Sequence, residues 1–407
     1  MWRGKAPIVV WIGPTTLWLF LMVTLHVGIC STQVPKLPGK DSRIRDLMGL
    51  VRSQLEQKQT EAARRSLQEL SGLLVPEDPR FFQVASLFAA HEDFATAIPL
   101  LERSRIAFPH SYDVSFNLSL AYFRNQNYRK AAETLIALVR QKPRAEAYNL
   151  LGVVQEQRKQ YLDAVRAFQK AAELEPGNED YRYDYGFELL KHKTEPAAIA
   201  IFASGVQDFP RSVKLHMGLG CAYYVVGKHE EAAHILLEAI KLEPREKLAY
   251  LLLGKTYEQA GPLQPTIADA FRAYLDRRPH DPWAYYHYGN ILYLVAQSAQ
   301  PPDFQTAKSF FQQALSLNPS FAEACVQLAA ILQTEGQNEE SLSFLHRAVR
   351  SNPKLAVAHY RLGLAYRRLG EKEKAAAAFA LSEKLNAENE ANRNKEEIIQ
   401  FLIGPGK

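Results

Sequence analysis

Eight prolines set the period by which this chain folds. Pro109, Pro143, Pro176, Pro210, Pro244, Pro279, Pro319 and Pro353 follow one another at gaps of 34, 33, 34, 34, 35, 40 and 34 residues. Between them a second pattern returns in step: Leu-Gly or Tyr-Gly, an aromatic three residues later, an Ala beyond a polar turn, and a large apolar residue four further on. Leu151-Gly152 leads to Ala164 and Phe168, Leu219-Gly220 to Tyr223 and Ala232, and Leu362-Gly363 to Tyr366, Ala375 and Phe379. A fixed period of this length marks a repeat architecture. It replaces the several domains that 407 residues would suggest at about 100–200 residues each.

Each period holds two stretches with apolar residues three and four apart, which is the stripe of an amphipathic helix. Gly152, Gly186, Gly220, Gly254, Gly289 and Gly363, with Ala164, Ala198, Ala232, Ala307 and Ala375, leave room for two helices to approach closely. Bulky Tyr, Phe and Leu fill the gaps between neighbours. The proline then ends the second helix, because it lacks an N–H and bars the residue before it from the helical region. One helix pair cannot bury its apolar face, whereas a stack buries a continuous core.

The unit Tyr148-Asn149-Leu150-Leu151-Gly152 through Ala164, Phe168, Ala171 and Pro176 resembles the tetratricopeptide repeat, W-x2-L-G-x2-Y…A-x3-F…P over 34 residues. Ten such repeats begin near Ile44, Asp78, Tyr112, Ala145, Glu179, Val213, Lys247, Pro282, Ala322 and Ala356 and fill residues 44–387. The first is degraded, with Arg52 where Gly is expected. The seventh carries Ile267 in place of the usual Ala, beside Pro262 and Pro265. The resemblance implies an all-α fold, a right-handed α-solenoid superhelix of stacked helix-turn-helix repeats. Residues 298–303, with Pro301-Pro302, are expected to form an extended turn inside the eighth repeat. Residues 388–407 are expected to form a capping helix and a frayed tail.

The balance of Lys+Arg 49 against Asp+Glu 44 leaves a formal +5 spread over the chain, which argues against a nucleic-acid-binding stripe. Residues 1–32 read as a signal peptide or membrane anchor. Arg3 and Lys5 precede a run from Ala6 to Cys30 without Asp, Glu, Lys or Arg, interrupted by Gly13-Pro14. Val27-Gly28-Ile29-Cys30 matches a lipoprotein box only in part, since Ile29 stands where a small residue is required. Residues 33–43 form a Pro/Gly-containing linker. The expectation is an exported or membrane-tethered protein whose body is extracytoplasmic.

Candidate chemistry is sparse. His229-Glu230-Glu231-Ala232-Ala233-His234 places its histidines five apart rather than the four that a shared metal on one helix face requires, and His229 falls in the expected inter-helix turn. Gly218-Leu219-Gly220 lies inside a first helix with no preceding strand, so a dinucleotide loop is excluded. Cys221 and Cys325, three repeats apart, are beyond disulfide reach and are expected to be reduced. Asn117-Leu118-Ser119 matches a glycosylation sequon but sits within a helix. No catalytic, cofactor or metal residues are assigned, and the chain reads as non-enzymatic.

In proteins of the resembled family, the second, fifth, ninth and twelfth places of each first helix face a concave surface that grips partner segments. Those places hold Phe116, Phe123, Asn149, Tyr183, Phe187, Met217, Tyr224, Lys255, Trp283, Tyr286, Asn290, Tyr293 and Tyr360. Phe82, Glu258 and Arg367 occupy such places too. Aromatics at helical spacing also pack cores. Even so, Tyr122, Tyr148, Phe168, Tyr223 and Phe379 already fill the packing places. Rigid rings with a few Asn, Lys and Arg suit an extended or helical peptide. The Lys/Asn/Arg set by which one subclass clamps a carboxyl-terminal tail is not supplied by three consecutive repeats. Arg361, Arg367 and Arg368 form a basic patch, read either as a solvated face or as a site for an acidic partner. The reading is a protein-interaction scaffold with an aromatic groove. The alternatives are an accessory subunit of a cell-envelope assembly, secretion or polysaccharide-export machine and, less favoured, an enzyme.

Overall fold

A computed structural model describes residues 39–392. The expected signal or anchor (1–32) and residues 33–38 of the linker lie outside the described residues. So does everything beyond residue 392, including Ile398, Ile399 and Leu402 of the expected cap.

The described residues form an all-α solenoid of stacked helix-turn-helix repeats. The pairs are α1 (Lys40–Glu56) with α2 (Thr60–Leu73), α3 (Arg80–Ala90) with α4 (Phe94–Ala107), α5 (Tyr112–Arg124) with α6 (Tyr128–Gln141), and α7 (Ala145–Gln157) with α8 (Tyr161–Leu174). In chain order α9 (Glu179–Lys191) and α10 (Glu195–Asp208) come next, and the pairs then resume with α11 (Val213–Val225) and α12 (His229–Leu242), and α13 (Lys247–Thr256) and α14 (Gln264–Arg277). The last three are α15 (Pro282–Gln297) with α16 (Gln305–Leu317), α17 (Ala322–Thr334) with α18 (Asn338–Ser351), and α19 (Ala356–Arg368) with α20 (Lys372–Asn392). The chain divides into two compact bodies, Met1–Glu188 and Leu189–Lys407.

Local chemistry accounts for these boundaries. Every second helix from α4 to α18 stops two residues short of its proline: Ala107 before Pro109, Gln141 before Pro143, and so on to Ser351 before Pro353. Between the two helices of a pair, one residue turns into the left-handed region. It is Lys58, Glu92, Gln126, Lys159 or Lys193 in the early repeats, and Gly227, Gly336 or Gly370 later. Short polar side chains then cap several helices. Asn127 accepts from the Lys130 N–H and Asp93 from the Thr96 N–H, both at 3.2 Å.

The small residues work as the pattern implies. A Cβ at Gly152 would lie 2.8 Å from Phe168, and one at Gly363 would lie 2.6 Å from Phe379, so each second-helix aromatic lies directly on the glycine of its own first helix. Helix α1 begins at Lys40, one turn before Ile44, and α20 runs unbroken past Ala387 to Asn392. Cys221 and Cys325 are buried free thiols. Asn117 lies in α5 and donates its side-chain N–H to the Asp113 carbonyl at 2.8 Å, while Ser119 is fully buried. Among the described residues, no helix is long and apolar enough to cross a membrane.

The seventh repeat departs from the others. Helix α13 ends at Thr256, and two single 3-10 turns, Tyr257–Gln259 and Gly261–Leu263, take the place of its last turn. Pro262 lacks an N–H to continue a helix, while Pro265 is tolerated in the first turn of α14. Ile267, where other repeats carry Ala, is fully buried. Helices α13 and α14 touch far less than the pairs on either side. Gly254 is therefore met by a residue of the next repeat, His287 of α15. Its Nδ1 would lie 2.5 Å from a Cβ at 254.

Candidate functional site

The irregular seventh repeat borders a cavity of about 1770 Å³ in the second body. Tyr224, Lys255, Trp283, Tyr286, Asn290 and Tyr293 all line it. The sequence places these six at inward positions of α11, α13 and α15, and the structure brings them together. Tyr257, Glu258 and Gln259 of the first 3-10 turn also line it, together with His229, His287, Glu323, Gln327 and Arg361.

The aromatic wall is interlocked. Trp283 meets Tyr286 edge-on, with centroids 6.0 Å apart and planes at 90°, and stacks on His287 at 5.9 Å. Phe321 packs on both Trp283 and Tyr286, at 4.5 and 5.1 Å. Asp281 fixes the start of α15. It accepts from the Trp283 N–H and the Tyr274 hydroxyl, both at 3.0 Å, and pairs with Lys247 at 3.6 Å.

Polar groups in the same wall are left with unmet hydrogen-bonding capacity. His229 Nδ1, His287 Nε2 and Asn290 Oδ1 are buried and have no hydrogen-bond partner. Burial pushes the His287 imidazole down to about 4, and the Lys255 charge adds to the effect against the opposing pull of Asp281. His287 is therefore a neutral ring at physiological pH. Burial also raises the Tyr286 hydroxyl. The Arg361 guanidinium is pushed down by burial. It donates to Gln333 Oε1 at 3.2 Å and forms no ion pair among the described residues. Arg368 stays exposed and donates to the Gln333 carbonyl at 2.6 Å.

The other sequence-derived residues lie elsewhere. In the first body, Phe116 stacks on Tyr112 at 5.7 Å and Phe123 packs on Tyr128 at 5.9 Å, and both are half-buried against that body's apolar core. Tyr183 and Phe187 form a stacked pair on α9, 5.9 Å apart with planes 9° from parallel. Asn149 is fully buried and donates its Nδ2 to Asp184 Oδ2 at 2.8 Å. In the second body, Met217 is buried, while Tyr360 is exposed and leans on Phe379 at 5.6 Å.

Two histidines escape the sequence reading for different reasons. His229 is not in a turn: it opens α12, and its ring stands edge-on against Tyr224 at 5.2 Å. Its failed metal spacing says nothing about its place in a wall. His287 holds the sixth place of its repeat, which the inward set omits. The sixth place also supplies Asp184, Gln327 and Arg361. A polar residue recurring there, two places before the repeat's Gly or Ala, is the signal that could have found His287.

Family models described as "Tetratricopeptide repeat" match residues 88–153 and 302–354, 145–178, 217–282, and 356–389, together more than half of the chain. The chain belongs to the tetratricopeptide repeat proteins. It is 23% identical over 176 residues to a BBSome complex member BBS4 homolog of Drosophila melanogaster, covering 43% of this chain and 36% of that protein. It is 34% identical over 94 residues to the TPR repeat-containing thioredoxin TTL4 of Arabidopsis thaliana, covering 23% and 13%. The chain thus spans about a third and about an eighth of these two relatives. Among solved structures, the C-terminal part of a TPR repeat-containing protein from Cytophaga hutchinsonii shares the fold. Its TM-score is 0.50 at 16% identity, covering 60% of this chain and 97% of that one. As a tetratricopeptide repeat protein, this chain is a scaffold of the general kind that engages proteins or peptides.

Proposed function

We propose that the cavity of the second body holds an extended or helical segment of a partner protein, and that the protein acts as a non-enzymatic scaffold. One observation carries this reading: Trp283, Tyr286 and Tyr293 share a wall with three buried polar atoms that lack partners, His229 Nδ1, His287 Nε2 and Asn290 Oδ1. Leaving such atoms unpaired is costly, about 1–3 kcal/mol each. A peptide backbone offers the N–H and C=O groups to satisfy them, while its side chains cover the rings. Export or tethering through residues 1–32 belongs to the same proposal and rests on the uncharged run from Ala6 to Cys30. Fractionation of cells expressing the full chain tests it, and recovery of mature protein only in the cytosol would refute it.

The cavity itself is tested with a displayed library of random peptides selected on the full chain. Selected peptides should bind Tyr286→Ala and Trp283→Ala at least tenfold more weakly than the unaltered chain, with both variants folded. Peptides that bind all three proteins equally would rule out the cavity as the site.

A further inference from the structure

A second polar arrangement lies in the first body, away from the cavity. Helix α7 supplies Asn149, which is 0% exposed, and α9 supplies Asp184, which is half-buried. The Asn149 Nδ2 donates to Asp184 Oδ2 at 2.8 Å, which orients the amide and leaves Asn149 Oδ1 buried without a donor. Among the described residues no Lys, Arg or His pairs with Asp184. One hydrogen-bonded pair therefore holds a carboxyl group and an amide oxygen that lacks a donor, with a single neutral N–H shared between the two side chains. We propose that Asp184 and Asn149 form a subsite for the cationic side chain, ammonium or guanidinium, of a lysine or arginine in a partner segment.

The surroundings suit such a side chain. Tyr183 and Phe187 flank Asp184 along α9, one residue before it and three after, with their rings stacked. Phe187 is buried beneath the half-buried Tyr183, so Tyr183 is the ring of the two along which the methylene stem of a Lys or Arg would lie. A guanidinium could give one N–H to the carboxylate and another to Asn149 Oδ1, whereas a neutral side chain would leave the charge buried and unpaired. A divalent cation is a poorer match. Calcium takes about six to eight oxygen ligands and magnesium a near-ideal octahedron, far more than one carboxylate and one amide supply. Burial alone raises the Asp184 carboxyl to about 7, opposed only by the Asn149 bond, so a bound cation would draw it back down. The rival account is a structural carboxylic acid, neutral and satisfied by Asn149.

The test uses the full chain at pH 7.5 with three small probes: N-acetyl-arginine amide, N-acetyl-lysine amide and the uncharged, similarly shaped N-acetyl-citrulline amide. Saturation-transfer NMR should detect the two cations in the millimolar range. Citrulline, and either cation on Asp184→Asn, should bind at least tenfold more weakly. Equal binding of citrulline and arginine, or equal binding to wild type and Asp184→Asn, overturns the proposal. A second readout needs no variant: arginine amide should move the titration of the Asp184 carboxyl 13C signal to lower pH, and an unmoved titration rejects the subsite. The outcome is independent of the cavity in the second body, so either reading can fail without the other.

Discussion

A Cβ placed on Gly254 would meet His287 Nδ1 at 2.5 Å and Cγ at 2.9 Å, and the ring is held by Trp283, Tyr286 and Phe271, with centroids 5.2–5.9 Å away. Gly254→Ala should therefore destabilise the protein by about 1–2 kcal/mol, because the overpacking cost exceeds the gain in helix propensity. Gly49, in α1, has nothing within 4 Å of the place a Cβ would take, and Gly49→Ala should stabilise by about 1 kcal/mol. Urea unfolding of both variants measures the two signs, and a shared sign would contradict the close contact. His287 adds a pH dependence. Its folded pKa of about 4 lies below the ordinary value of 6.5, so the unfolded chain binds more protons between those values. The associated stability is fully present above pH 6.5 and is lost as pH falls through 4, with Lys255 deepening the effect and Asp281 opposing it. In thermal melts, His287→Gln should flatten the decline between pH 6.5 and 4. A decline of unchanged steepness would assign the acid sensitivity to other groups.

At the scale of helices and turns, the same left-handed position is filled by Gly336 at φ 82° and by Lys159 at φ 59°. Gly336 has open space around its Cβ direction, so the cost of Gly336→Ala is conformational only, about 1 kcal/mol. Lys159→Gly should lose little or gain slightly. Paired denaturant midpoints would expose an error if alanine at 336 proved neutral. The period makes these elements readable: Pro143 predicts the end of α6, and Ala145 the start of α7, because both depend on local backbone chemistry. The cavity was less legible. Pro262, Pro265 and Ile267 announce that the seventh repeat is irregular, but not that Gly254 is then covered by His287 from the next repeat. That contact joins residues 33 apart in sequence and goes with the sparse contact between α13 and α14. The inward places brought Tyr224, Trp283, Tyr286 and Asn290 to one wall, yet they omitted the sixth place and so passed over His287, while Arg361 entered only as a member of a basic patch.

Across the whole molecule, a stack of repeats should be stable as a sum of local terms, since each helix pair gains its core from itself and its neighbours. Phe311, fully buried in α16, lies against Gly289 and Tyr286, so it supports the cavity wall from behind. Phe311→Ala removes a ring from a closed site and should cost about 3–5 kcal/mol. The loss should not be shared evenly. Amide hydrogen exchange followed by mass spectrometry should show faster exchange in α15, α16 and α17, and unchanged protection in α1–α6 of the other body. Uniform acceleration across both bodies would mean a single all-or-none unit, in which case the energetics would not be those of nearest neighbours. Faster exchange confined to the α15–α17 region should also abolish binding of cavity-selected peptides, because Trp283 and Tyr286 would lose the packing that holds their rings in place.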